Sequence, residues 1–244
     1  MSGPALSVRE DWDALRRRFA GEALAGVLAF CGWRAEAGEQ AEGGPGDRGD
    51  EGIAPCGSLL LRTEDGTRQL RTGPVELLWQ GVPLTGAPPD WPREVPEDAA
   101  RFFLTARPLG EPAALDSDLA ARRDGANPFY VTCYTERRLR ALLSRREPEG
   151  RSVPAPFSGE ARALALEISR FPAAVRRAAE MLDPFPVNRC ALALALAARD
   201  FLRAGGRDRP LLAAAETALG NALGLLGVGG DRIPPPSLCS GTPL

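Results

Sequence analysis

Residues 127–146 read NPFYVTCYTERRLRALLSRR, and they contain the chain's only two tyrosines, Tyr130 and Tyr134, beside a run of arginines. Asn127 is a good helix cap and Pro128 suits a first helical position, so the stretch predicts a helix that begins here. On such a helix each residue advances by about 100°, which sets Tyr134, Arg137 and Ala141 within about 40° of Tyr130, with Arg145 close by. Val131, Leu139, Leu142 and Leu143 centre well round the cylinder and form the expected core face. The tyrosines flank that face rather than define it. Two readings follow from helix geometry. The rings could stack on unpaired bases while guanidinium groups hold phosphates, or they could cover the edge of a helix bundle with their hydroxyls in water.

Working outward, the pattern is helical from residue 96 onward. PEDAARFFLTARP carries acids in its first turn, where they favour the helix dipole. Leu164, Ile168, Phe171, Val175, Ala178 and Leu182 step by threes and fours along one face, with Pro172 inside the run. A proline there is expected to kink the helix or to divide it in two. Pro186 opens another helix with Val187, Cys190, Leu194, Ala197 and Phe201 on one side. Asp208 can cap the last, which presents Leu212, Ala215, Leu219, Ala222 and Leu226 and stops at Gly227 and Gly229–Gly230. Amphipathic helices joined by short turns predict a helix bundle.

Ahead of the bundle, Trp12, Leu15, Phe19, Leu24 and Val27–Leu28 recur at helical intervals over residues 9–34. Residues 35–57, AEAGEQAEGGPGDRGDEGIAPCG, are too poor in apolar side chains to offset the entropy of ordering and are read as a disordered linker. SLLLRT (58–63) and PVELLWQGVPL (74–84) predict short strands or a hairpin, with EDGTRQLRTG as their connection. GAPPDWPREVP (86–96) reads as an irregular, proline-stiffened crossing. The expected organisation is thus a helical segment 1–34, the linker 35–57, a small β/loop region 58–95, the helix bundle 96–230 and a flexible tail 231–244.

Composition excludes several chemistries. The chain has no histidine, and all 30 of its basic residues are arginine. That removes the usual general base, the commonest metal ligand and every Ser-His-Asp or Cys-His arrangement. The 5 cysteines are scattered with no C-x-x-C pair, which argues against a zinc site or a disulfide framework and fits a reducing cytoplasm. The first residues lack the apolar core of a signal peptide, and CALALALAARDFL is broken by Arg199 and Asp200 before it could span a bilayer. The glycine-rich stretch EGGPGDRGDEG lacks the GK[ST] ending of a phosphate loop. No metal, cofactor or membrane is expected. The net charge of −2 conceals an asymmetry, because residues 121–220 hold 17 arginines against 11 acids. Excess arginine on helices suits phosphate binding, although solvated helix faces carry it too.

NPFYVTCYTERRLRALL also resembles a segment of the arginyl-tRNA synthetases, matching it without a gap at Asn127, Pro128, Tyr130, Tyr134 and Arg138. Upstream, EDAARFFLTARPLGEPAALDSDLA resembles the family at Asp98, Ala99, Arg101, Phe102, Phe103, Leu104, Arg107, Asp116, Asp118, Leu119 and Ala120. FPAAVRRAAEMLDPFPV and LLAAAETALGNALGLLGV are similar to the later helices of its DALR-type anticodon-binding domain. LRRRFAGEALAGVLAFCGWRAE is similar to the helix that follows the family's HIGH signature, but the positions of HIGH are held by Asp11, Trp12, Asp13 and Ala14. VELLWQGVPLTGAPPDWP stands where the family has KMSKS, without its lysines or serine. The histidine and glutamine that flank the second tyrosine in the family are replaced by Glu136 and Cys133.

The resemblance implies a mainly α protein. Its C-terminal helix bundle would be of the class I synthetase anticodon-binding (DALR) type, preceded by a small α/β remnant of a degenerate catalytic domain. It implies a truncated, non-catalytic paralogue that binds tRNA through the anticodon stem-loop, with an arginine tRNA as one candidate. The residues expected to contact it are Asn127, Tyr130, Tyr134, Arg137, Arg138, Arg145 and Arg209. A protein-interaction module partnering a tRNA-modifying enzyme or a synthetase is the alternative. A free-standing enzyme is disfavoured by the missing histidines and lysines.

Overall fold

The apolar spacing of the first helical stretch produces α1, Trp12–Phe30, which presents apolar side chains on two sides. Trp12, Leu15, Phe19 and Val27 join the main core, whereas Ala20, Leu24 and Leu28 meet Leu59, Leu61 and Leu109 in a second cluster. The helix stops at Gly32, whose φ of 86° lets the Trp33 N–H return to the Leu28 carbonyl at 2.8 Å. The computed structural model describes residues 5–7, 12–39, 58–63, 66–83, 94–145 and 158–229.

After this turn the chain reverses into β2, Ala35–Glu39, which pairs antiparallel with β3, Ser58–Thr63. The first five residues of the expected linker are therefore a strand. A close approach of backbones makes this possible: a Cβ added at Gly21 of α1 would stand 2.6 Å from Ala37 Cβ on β2. Two small residues let the strand lie against the helix. The remaining linker residues, 40–57, the crossing residues 86–93 and the tail 231–244 lie outside the described residues.

Strand pairing also differs from the simple hairpin. GTRQLR, read as a connection, is itself β4, Gly66–Arg71, antiparallel to β3 with Leu70 opposite Leu59. Leu70 is the only apolar residue of this mostly exposed strand, so the sequence carries almost no period-2 signal there. β5, Val75–Trp79, pairs antiparallel with β6, Val82–Pro83, and parallel with β8, Ala113–Asp116. β7, Glu94–Pro96, falls within the segment read as an irregular crossing and pairs antiparallel with β1, Ala5–Ser7. Because β5 and β8 share a sheet, the boundary expected between residues 95 and 96 is crossed by main-chain hydrogen bonds. α2, Glu97–Leu104, and α3, Ser117–Ala121, sit between strands and bundle.

The bundle consists of α4, Pro128–Ser144, α5, Gly159–Met181, α6, Phe185–Arg203, and α7, Arg209–Leu225. The chain is mainly helical with a small strand region. Caps fall where the residue types place them. Asn127 Oδ1 accepts from Tyr130 N at 3.2 Å, Ser158 Oγ from Ala161 N at 3.1 Å and Asp208 Oδ1 from Leu211 N at 2.9 Å. α5 runs through Pro172 without dividing. Pro172 lies on the exposed side, so the Ile168 carbonyl that loses its partner can turn to water, which lowers the cost of the proline. Leu164, Phe171, Val175, Leu194, Ala198, Leu212, Ala215 and Leu219 fill one continuous core with Phe102 and Phe129.

Two arginines tie α1 to α2 and to the segments around it, and two polar side chains of the bundle, Asp183 and Asn188, hold the same region. Arg16 has no exposed surface, and its guanidinium donates to the carbonyls of Gly73 at 2.7 Å, Glu111 at 2.7 Å and Pro108 at 3.0 Å. Desolvation pulls its pKa below the ordinary arginine value, opposed by the charges of Asp183, Asp13 and Glu111. Asp13, one turn earlier, accepts from Val75 N at 2.7 Å. Asp183, at the α5–α6 corner, accepts from Leu109 N and Phe185 N, each at 2.9 Å. Asn188 donates to Phe102 O at 2.7 Å and Thr105 Oγ1 at 3.0 Å. Arg101 lies over the Phe19 ring, 4.2 Å from its centroid, and pairs with Glu97 and with Glu22 of α1.

Replacing Arg16 strips several buried carbonyls of their donor at once. Arg16→Leu is expected to lower unfolding stability by about 3 kcal/mol, and Arg16→Lys to recover less than half of that, since an ammonium cannot span the carbonyls. Urea denaturation followed by circular dichroism checks this; wild-type stability in Arg16→Leu would show that the clamp is incidental.

Candidate nucleic-acid interface

α4 is buried nearly all round along its first half, which hides Phe129, Tyr130, Val131, Thr132, Cys133, Thr135 and Glu136. The rings of Tyr130 and Tyr134 stack on each other, with centroids 5.7 Å apart and planes inclined by 21°. Tyr130 is only 5% exposed, whereas Tyr134 is half-buried with surface left for a partner. Burial, and then the neighbouring Tyr134, push the Tyr130 hydroxyl above the ordinary tyrosine pKa, while Arg123 opposes the shift. Tyr134 opens onto a small crevice between α4 and α6, lined by Val131, Thr135 and Arg138 on one side and by Arg199 and Leu202 on the other. Both guanidinium groups are half-buried at its rim. Arg199 leans on Asp200 at 3.5 Å, and among the described residues Arg138 has no hydrogen bond or ion pair.

The other residues singled out from the sequence are dispersed. Asn127 is fully buried: its amide donates to Ala120 O at 3.2 Å and Arg122 O at 2.7 Å, and its oxygen caps α4. It holds the helix start and presents nothing to a ligand. Arg137 is half-buried one turn beyond Tyr134, with its charge felt at the Cys133 thiol. Arg209 caps the far end of α4, donating to Arg145 O at 3.3 Å and to Leu143 O. Arg145 and Arg209 therefore stand about 16 Å along the helix from Tyr134. Glu136 faces α7: it pairs with Arg140 at 2.5 Å, and Arg140 reaches Glu216 at 3.5 Å. Tyr134, Arg138 and, from outside the expected set, Arg199 and Leu202 are what the fold gathers. The signal for Arg199 was its interruption of the apolar α6 run, which reads equally as a break in a membrane-like stretch.

No group of metal-ligating side chains occurs among the described residues, and none of their helices is long and apolar enough to cross a membrane. No protein-family model matches the chain. Curated arginine–tRNA ligases do. That of Acetivibrio thermocellus is 32% identical over 110 residues, 42% of this chain and 20% of that protein. That of Symbiobacterium thermophilum is 30% identical over 153 residues, 55% of this chain and 27% of its own. That of Nitratidesulfovibrio vulgaris strain DP4 is 29% identical over 191 residues, 70% and 33% respectively. A solved arginyl-tRNA synthetase from Campylobacter jejuni shares the fold over 66% of this chain and 40% of its own, with a TM-score of 0.53 at 18% identity.

The chain is related to the arginyl-tRNA synthetases. It spans between 20% and 33% of the length of these curated relatives. In this synthetase relative, two of the four residues that the sequence resemblance sets at HIGH have structural contacts: Trp12 is buried and Asp13 accepts the Val75 N–H. Asp11 and most of the segment aligned with KMSKS lie outside the described residues.

Cys133, at the position before Tyr134, is fully buried, and desolvation, reinforced by Asp98, pushes its thiol far above the ordinary range. Cys190 is pushed up to about 11, again mainly by burial. Such thiols are poor nucleophiles. Alkylation at neutral pH followed by peptide mass spectrometry is expected to modify exposed Cys31 readily and to spare Cys133 until denaturant is added. Equal labelling of both in the native state would contradict the packing of α4.

Proposed function

We propose that this chain binds tRNA through the α4–α6 face, holding the anticodon stem-loop, and does not charge it. The observation that carries the reading is the half-buried Tyr134, which lines one crevice together with Arg138 of its own helix and Arg199 of α6. An aromatic face stacks on an unpaired base, and flanking guanidinium groups take the phosphates on either side. The relation to the arginyl-tRNA synthetases supports RNA as the partner, and a bundle of the DALR anticodon-binding type accounts for α4 to α7. Arg137 lies beside the stacking position, while Arg145 and Arg209 extend the basic strip along α4 toward a stem. The proposed set is therefore Tyr134, Arg137, Arg138 and Arg199, with Tyr130 as the support behind Tyr134.

The non-catalytic half of the reading rests on chemistry. The adenylate-forming signatures that the resemblance calls for use histidines and lysines, and the chain has neither residue. Trp12 and Asp13 are committed to packing and to the Val75 N–H. A second reading, a protein-interaction module partnering a tRNA-modifying enzyme or a synthetase, is favoured by Phe30 and Trp33, which are 57% and 53% exposed at the end of α1. Partner capture that survives RNase and is lost in a Phe30→Asp, Trp33→Asp double variant would support it.

Electrophoretic mobility shift with tRNA transcripts at low salt tests the main reading. A shift is expected whose affinity falls with salt at a log–log slope of about −2 to −3, as for three or so phosphates. Arg138→Ala with Arg199→Ala should weaken binding by about tenfold or more and flatten the slope. Arginine-dependent ATP–pyrophosphate exchange is expected to be absent. The absence of any shift, or clear exchange activity, would refute the corresponding half.

A further inference from the structure

On the strength of the RNA-binding reading, we infer that the α4–α6 site takes one unpaired nucleotide by its face and does not read which base it is. The geometry leaves a single stacking position. One face of Tyr134 is already occupied by the Tyr130 ring, 5.7 Å away and nearly parallel, and Tyr130 itself is 5% exposed. A second base has no ring to lie on.

The crevice beside Tyr134 admits a water molecule and is too small for a nucleobase. Its floor is Val131 and Leu202, which offer no donor or acceptor to a base edge. Thr135 also lines the crevice but is only 2% exposed, and the other polar side chains nearby are engaged elsewhere. The Asn127 amide is spent on Ala120, Arg122 and Tyr130, and Thr132 Oγ1 donates to Pro128 O at 2.7 Å. Glu136 is 1% exposed and directed to α7. What remains around the crevice is two arginines, Arg138 from α4 and Arg199 from α6, beside one ring. That is the equipment for a phosphate–base–phosphate step, and every base has a π-face.

Arg138 and Arg199 come from different helices, so together they can hold two successive phosphates of one strand beside Tyr134. A loop satisfies this arrangement, because its nucleotides are unstacked and its backbone is curved. A continuous duplex offers phosphates but no free face. The ligand class is therefore an RNA hairpin or tRNA selected by the presence of an open loop, with sequence-tolerant affinity across loops.

The test uses the full chain and fluorescence anisotropy at low salt. The probes are RNA hairpins with one common stem and loops of equal length made of uridine, cytidine, adenosine or a mixed sequence, with a blunt duplex of the same stem as control. Affinities for the hairpins are expected to agree within about threefold, and the duplex to bind about tenfold more weakly. Tyr134→Phe should bind like wild type, whereas Tyr134→Leu, which keeps the apolar packing, should lose about tenfold on every hairpin; circular dichroism confirms its fold. A preference of about tenfold or more for one loop composition, guanine-containing mixtures included, would overturn base tolerance while leaving RNA binding in place. Equal binding of the duplex, or an unaffected Tyr134→Leu, would overturn the stacking step. No binding of any probe would remove the RNA reading and this inference together.

Discussion

The guanidinium of Arg16, with no access to water, holds α1 to the turn before β5 and to the loop after α2. A buried cation is costly unless its donors are satisfied, and here main-chain oxygens of otherwise irregular segments converge on its two terminal nitrogens, while Nε has no partner among the described residues. Asp13 and Asp183 complete the arrangement by accepting the N–H groups of the same segments. The strand region, which is too small to own a core, is thereby bound to the helices. α1 reinforces this from both sides by packing on the main core and on β3.

The candidate interface depends on that rigidity indirectly, through α4. Asn127 is locked by the carbonyls at the end of α3 and in turn fixes the first turn of α4. The helix then buries most of its circumference, so the Tyr130–Tyr134 stack has little freedom to rearrange. A ring that is supported from behind costs little entropy to engage from in front. The same burial explains why Cys133 and Glu136 bear less on recognition than their place beside Tyr134 implies: both point into the bundle.

Several elements were legible before any coordinates. The caps Asn127 and Asp208 and the apolar steps of α1, α5, α6 and α7 are local chemistry, and the helices start and run where those residues place them. The strands were harder. β2 hides in a segment whose Gly and acid content reads as unstructured, and β4 carries one apolar residue, because each gains its stability from β3 and α1 and not from its own side chains. Of the two outcomes open at Pro172, a kink or a division, α5 does not divide, and Pro172 lies on its exposed side. The site was half visible. Tyr134 and Arg138 lie on one helix and share a period, whereas Arg199 and Leu202 come from another and no spacing links them.

By itself, then, the sequence determined that this protein is mainly helical, where its bundle helices begin, that it lacks histidine and lysine chemistry, and that its tyrosines lie together on one helix flank. These follow from composition and from interactions between near neighbours. Only the tertiary structure decided what each arginine is for. The three arginines of LRRRF are alike in sequence, yet Arg16 is sealed inside against carbonyls 57 to 95 residues away, and Arg18 stays outside. Arg209 caps a helix, while Arg138 and Arg199 remain at the rim of the crevice. The charge of an arginine is fixed by its chemistry, but whether it meets a carbonyl, a carboxylate or water depends on partners that only folding brings near.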